Sequence, residues 1–139
     1  MPHLPGDHVL VVEDNPVFRQ FLLSWLSRHF KVRAVRDGLE ALRWLQAGNV
    51  PSAVLLDLEL PRISGLQVLR NLRRSGLFRD LPVVALSSLP EEDPTLATAR
   101  TLGVDGMFSK PYAPSELLAC LRAAAISRQT ATHNRAIAA

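Results

Sequence analysis

The chain has 139 residues, enough for one domain with a proper core and too few for two ordinary ones, so no separate output domain is expected within it. Hydrophobic residues make up 47% and charged residues 21%, which excludes wholesale disorder. The net charge of +3 does not imply nucleic-acid binding, because Arg128 and Arg135 near the C-terminus leave 14 of the 16 cations against 13 acids in the body. A single cysteine, Cys120, excludes an internal disulfide; its apolar helical neighbourhood predicts a small buried residue. No apolar run reaches 18 residues, and Met1-Pro2-His3-Leu4-Pro5-Gly6 lacks a charged start leading into an apolar core, so no membrane contact and a cytoplasmic location are expected.

In chain order, short β-rich runs alternate with amphipathic segments, the pattern of a parallel sheet covered on both faces and hence an α/β fold. Strands are predicted near 8 to 13, 31 to 35, 52 to 57, 82 to 87 and 105 to 109. Helices are predicted near 16 to 28, 38 to 47, 65 to 75, 94 to 102 and 114 to 126. In the first helix Val17, Phe18, Phe21, Leu22, Trp25 and Leu26 recur at i, i+3, i+4 and predict one stripe on the sheet. The second helix repeats the pattern with Leu39, Leu42 and Leu45 or Trp44. Gly38, Gly48 and Gly103 stand at turn or cap positions, and Pro51, Pro82 and Pro114 at element starts. Residues 1–6 read as an N-terminal extension, 7–126 as the folded domain, and 127–139 as a tail, an extension of the fifth helix or a truncated linker.

The chemistry gathers where strands end. Val9 to Val12 runs into Glu13-Asp14, and Ala53 to Leu56 into Asp57; Val83 to Leu86 runs into Ser87, and Met107 to Ser109 into Lys110-Pro111. Parallel strands deliver their C-terminal ends to one rim, so three carboxylates, a hydroxyl and an ammonium should meet there. Such an oxygen cluster suits a hard divalent cation such as Mg²⁺. Asp14 or Asn15, followed by Pro16, can also cap the first helix, a role compatible with metal binding.

These residues resemble the receiver domain of two-component response regulators, of the chemotaxis-receiver type. The resemblance rests on Glu13-Asp14, on Asp57-Leu58-Glu59-Leu60-Pro61-Arg62-Ile63-Ser64-Gly65, on Ser87 thirty residues after Asp57, and on Lys110-Pro111. It covers about residues 7 to 126. It implies a flavodoxin-like doubly wound (βα)5 domain of strand order 2-1-3-4-5. It further implies that Asp57 accepts a phosphoryl group from a histidine kinase or histidine phosphotransfer protein, with Mg²⁺ held by Asp14, Asp57 and the backbone carbonyl of Glu59, and with Glu13 acting directly or through water. Lys110 and Ser87 would serve the phosphoryl group, and the Lys110-Pro111 bond would be cis. Such a domain is a phosphoacceptor switch, not an enzyme in the ordinary sense. It passes its signal to a downstream protein or a fused output domain, without nucleic-acid binding of its own, and a dimer through the fourth helix, fifth strand and fifth helix is compatible with it.

The sequence departs from the family in three places. Met107 stands where an aromatic usually swings inward, Ser88 where alanine is common, and Glu59 two residues after the acceptor. Met107 and Phe108 can equally alternate between core and surface. Arg62, Arg70, Arg73, Arg74 and Arg79 read as a solvated face or a docking surface for an acidic partner. The four histidines are dispersed and lack zinc-ligand spacing. Two rivals stand beside the switch: a receiver-fold binding module that works without phosphorylation, and an aspartyl-nucleophile Mg²⁺ phosphatase, for whose cap and substrate pocket the chain has little room.

Overall fold

The computed structural model describes residues 8–138, with the backbone alone for 128–138. Five strands alternate with five helices: β1 His8–Val12, α1 Pro16–Leu26, β2 Lys31–Val35, α2 Gly38–Gln46, β3 Ala53–Asp57, α3 Gly65–Arg74, β4 Val83–Ser87, α4 Pro94–Thr101, β5 Gly106–Ser109 and α5 Pro114–Ala138. All strand pairs are parallel, in the order β2-β1-β3-β4-β5. The expected doubly wound fold is what forms, with α5 running on well past residue 126.

The strands explain the layering. β3 and β4 are buried at every position, as apolar strands covered on both faces must be. Their side chains alternate between two cores. Leu10, Val12, Val54, Leu56, Val83 and Ala85 join α2, α3 and α4 on one face, while Val9, Val11, Ala53, Leu55, Val84 and Leu86 join α1 and α5 on the other.

The expected helix stripes are too wide. In α1 only Leu22 and Leu26 are buried and Trp25 is half-buried; Val17 is 76% exposed, and Phe18 and Phe21 are each 49% exposed. One turn of spacing shows which side of a helix is apolar but not how far along it the sheet reaches. In α2 the buried residues are Gly38, Ala41 and Leu45; Leu42 and Trp44 are half-buried and Leu39 is exposed. Cys120 is half-buried rather than buried, set beside Gly106, where a Cβ would lie 2.5 Å from its sulfur.

Capping fixes the helix starts nearest the strand ends. Asn15 Oδ1 accepts from the N–H groups of Val17 at 2.9 Å and Phe18 at 3.1 Å, so Asn15, not Asp14, caps α1. Ser64 and Gln67 form a reciprocal capping box at α3. Gly65 allows that helix to begin against the β3 backbone, since a Cβ there would lie 2.2 Å from the Asp57 carbonyl oxygen.

The arginines on and around α3 do not form a uniform solvated face. Arg73 turns inward and donates to four carbonyls: Leu102 at 2.7 Å, Arg79 at 3.2 Å, Leu81 at 2.8 Å and Gly103 at 3.0 Å. It ties the ends of α3 and α4 to the entry of β4. Arg62 adopts φ of 64° and reaches Asp37 at 3.4 Å.

Candidate functional site

Strand register sets the site. Val12 pairs with Leu56, Asp57 with Leu86, and Ser87 with Ser109, so Glu13, Asp57, Ser87 and Lys110 emerge along one rim. The connections from β1 and β3 leave on opposite sides of the sheet, which opens a crevice between their ends. That crevice belongs to a cleft of about 890 Å³ whose polar lining includes Glu13, Asp14, Asp57, Glu59, Ser88 and Lys110.

Asp57 is nearly sealed, at 2% exposure, and each of its carboxylate oxygens has a donor. The Glu59 N–H donates to Oδ1 at 2.9 Å and the Lys110 ammonium to Oδ2 at 2.8 Å. Lys110 Nζ also lies 3.5 Å from Glu13 Oε1 and 5.9 Å from the centre of the Phe18 ring, within cation–π range. The Lys110 N–H bonds the Ser87 carbonyl at 2.9 Å, and the Lys110-Pro111 peptide bond is cis. Burial pulls the Lys110 ammonium down, but Asp57, Glu13 and Glu59 together outweigh it and hold the pKa above its ordinary value.

Glu13 is buried, and no hydrogen-bond donor meets either of its carboxylate oxygens. Burial first, then the hydrogen-bonding reach and charge of Asp57, push its carboxyl up to about 8; Asp14 adds to the shift and Lys110 opposes it. Asp14 projects into solvent, freed from capping by Asn15. Arg19 braces the acidic pair from behind, donating to the carbonyls of Glu13 at 3.0 Å and Asp14 at 3.1 Å.

Glu13, Asp14 and Asp57 each offer a carboxylate oxygen, and those oxygens lie within 4.8 Å of one another. Hard divalent ions such as Mg²⁺ take oxygen ligands, so these three carboxylates are the groups that would hold one. Two buried Glu13 oxygens without a hydrogen-bond partner and an all-oxygen donor set fit a hard divalent cation.

Ser87 occupies the expected strand end, but its hydroxyl oxygen accepts from the Leu89 N–H at 2.9 Å, and the residue is buried. Ser88 lines the cleft, and its N–H and hydroxyl both donate to Glu59 Oε1. Met107 and Phe108 do not alternate between core and surface: Met107 packs against the core that contains Leu96 and Ala99, and Phe108 against the opposite one. Phe18, Phe21 and Tyr112 add an apolar wall that was not anticipated, since the two phenylalanines carry the spacing of core residues. Arg19 carries no signal in the sequence that would mark it.

Comparison with known proteins follows the same lines. A family model described as the response regulator receiver domain matches residues 9–122. The chain is 40% identical over 116 residues to the response regulator MprA of Mycobacterium sp. (strain KMS), covering 83% of this chain and 49% of that protein. It is 35% identical over 121 residues to the regulatory protein VirG of Agrobacterium tumefaciens (strain 15955), covering 86% and 44%. The chain thus spans about half the length of the curated relatives it matches. Among solved structures it is similar to the receiver domain of the sensor histidine kinase PA1611 of Pseudomonas aeruginosa PAO1, described with a magnesium ion in its active-site cleft, with 28% identity, a TM-score of 0.76 and coverage of 86% and 98%. Among the described residues no helix is long and apolar enough to cross a membrane. With a family model matched over residues 9–122, most of the chain, and an acidic cleft on the rim where such a sheet places its ligands, this chain belongs to the response regulator receiver domain family.

Proposed function

We propose that residues 7–126 work as a phosphoryl-accepting switch, with Asp57 taking the group from a phosphohistidine on a histidine kinase or histidine phosphotransfer protein. The observation that carries this is the Lys110 ammonium 2.8 Å from the Asp57 carboxylate, beside the Glu13-Asp14 pair. An Asp57 oxygen forms the new O–P bond as the P–N bond to imidazole breaks, and the nitrogen keeps the electron pair. Asp14, Asp57 and the Glu59 carbonyl are assigned to Mg²⁺, with Glu13 direct or through water. The ion, when bound, offsets the repulsion between an anionic carboxylate and an anionic phosphoryl group. Lys110 does the same from the other side, and Glu59 N–H and Lys110 hold the carboxylate in place.

Ser87 serves as a hydroxyl donor to the bound phosphoryl; its oxygen accepts from the Leu89 N–H, which leaves the O–H proton free to donate. The change is read by a downstream protein or a fused output domain, with no direct nucleic-acid contact by this chain. We assign dimerisation, where it occurs, to the α4-β5-α5 face, with Met107 as a soft packing element beneath it. The protein is placed in the cytoplasm, where such kinases present their phosphohistidine.

Intact mass after incubation with Mg²⁺ and acetyl phosphate tests the assignment, with Asp57→Asn in parallel. One phosphoryl group gained by the parent alone is expected. No gain, and no uptake of beryllofluoride by a folded, Mg²⁺-binding parent, would favour a module that acts without phosphorylation.

A further inference from the structure

Glu59 and Ser88 join the β3-α3 and β4-α4 loops next to Asp57. Glu59 lies two residues past Asp57 and donates its N–H to Asp57 Oδ1 at 2.9 Å. Its carboxylate takes the Ser88 N–H at 2.9 Å, and the Ser88 hydroxyl as well, both on Oε1. The second oxygen, Oε2, is buried and meets no donor. Next to it, the Leu89 N–H holds the Ser87 hydroxyl oxygen. The start of the β4-α4 loop is therefore pinned at Ser88 to the same short segment that carries Asp57.

We propose that the Glu59-Ser88 pair is a charge-operated clasp that holds the β4-α4 loop in its unphosphorylated position and releases it when Asp57 is phosphorylated. This rests on Asp57 being the acceptor. A phosphoryl group on Asp57 adds negative charge to the cleft that the Glu59 carboxylate also lines, and like charges in a partly desolvated site repel. Oε1 is held only by Ser88 and Oε2 by nothing, so Glu59 yields by swinging away and takes the anchor of Ser88 with it. Glu59 is a positioning residue: it sets where Ser88 stands before transfer and releases it after, leaving the neighbouring Ser87 free to follow the phosphoryl group. An alanine at position 88 would keep the N–H bond and lose the hydroxyl bond, so the serine doubles the hold.

Amide hydrogen exchange on the full chain, with and without Mg²⁺ and beryllofluoride, tests the clasp at the Ser88 N–H. In the parent, protection of Ser88 should fall about tenfold or more on beryllofluoride binding, while amides of β1 and β3 stay protected. Glu59→Ala should show the same loss without beryllofluoride. Glu59→Gln keeps an acceptor without the charge, so Ser88 should stay protected in both states. Beryllofluoride uptake with Ser88 unchanged in the parent, Glu59→Ala within twofold of the parent, or release in Glu59→Gln overturns the clasp. A parent that takes up neither beryllofluoride nor a phosphoryl group overturns the acceptor assignment, and with it the trigger.

Discussion

Replacing Gly65 by alanine should damage fold and site together, because the new Cβ has nowhere to go. It would lie 2.2 Å from the Asp57 carbonyl oxygen, 2.6 Å from Leu58 Cα and 2.9 Å from the Asp57 carbonyl carbon, all backbone atoms. Ordinary contact needs more than 3 Å, so the start of α3 must retreat from the end of β3 by about 1 Å, straining the Gly65 N–H bond to the Leu58 carbonyl. Overpacking costs about 1–3 kcal/mol, and a wall of backbone puts this case near 3. For a domain of this size that lowers Tm by roughly 10 °C. Circular dichroism in urea and heat measures the loss, with Gly76→Ala as control. A Cβ at Gly76 meets nothing within 4 Å, so that variant should be neutral or slightly stabilising. Phosphoryl gain from acetyl phosphate should slow in Gly65→Ala, since Asp57 and Glu59 move with the displaced segment. Gly65→Ala within about 0.5 kcal/mol of the parent, or Gly76→Ala losing as much, would refute the steric reasoning.

Arg73→Met should cost about 2–4 kcal/mol by leaving the carbonyls of Leu102, Arg79, Leu81 and Gly103 without their shared donor, as urea titration will show. Glu13 gives a pH signature. Its carboxyl titrates near 8 in the folded, metal-free protein and near 4.5 when unfolded, so the folded state holds the extra proton between those values. Stability from this group is full below about 4.5 and falls as pH rises toward 8, by on the order of 1 kcal/mol per pH unit. Denaturation in EDTA at pH 5.5 and 8 should show the fall in the parent and a smaller one in Glu13→Gln, and millimolar Mg²⁺ should oppose it in the parent. Equal pH slopes for the two proteins would remove Glu13 as the cause.

The order of elements was legible because each strand is a short apolar run closed by a functional residue, and each helix start carries proline, glycine or a cap. The acids were legible for the same reason: Glu13, Asp14 and Asp57 stand at strand ends, and a parallel sheet has only one rim on which to place them. What escaped depends on distance across the fold. Phe18 and Phe21 have core spacing but lie beyond the last residue of β1, so they wall the cleft instead. Arg73 has the composition of a surface residue, and its four carbonyls come from two other segments, the connection from α3 to β4 and the end of α4. Both serines at 87 and 88 were visible, but which one faces the cleft follows from the Glu59 and Leu89 bonds and not from their order in the chain.

The division of the interior by the sheet has a bearing on how the molecule tolerates change. Because the strand side chains alternate into two separate cores, Met107 answers to α4 while Phe108 answers to α1 and α5. Substitutions on the two sides share no side-chain contacts and should accumulate nearly independently. The half that carries α4 can therefore drift in sequence while the half bearing the α1 wall of the cleft keeps its shape.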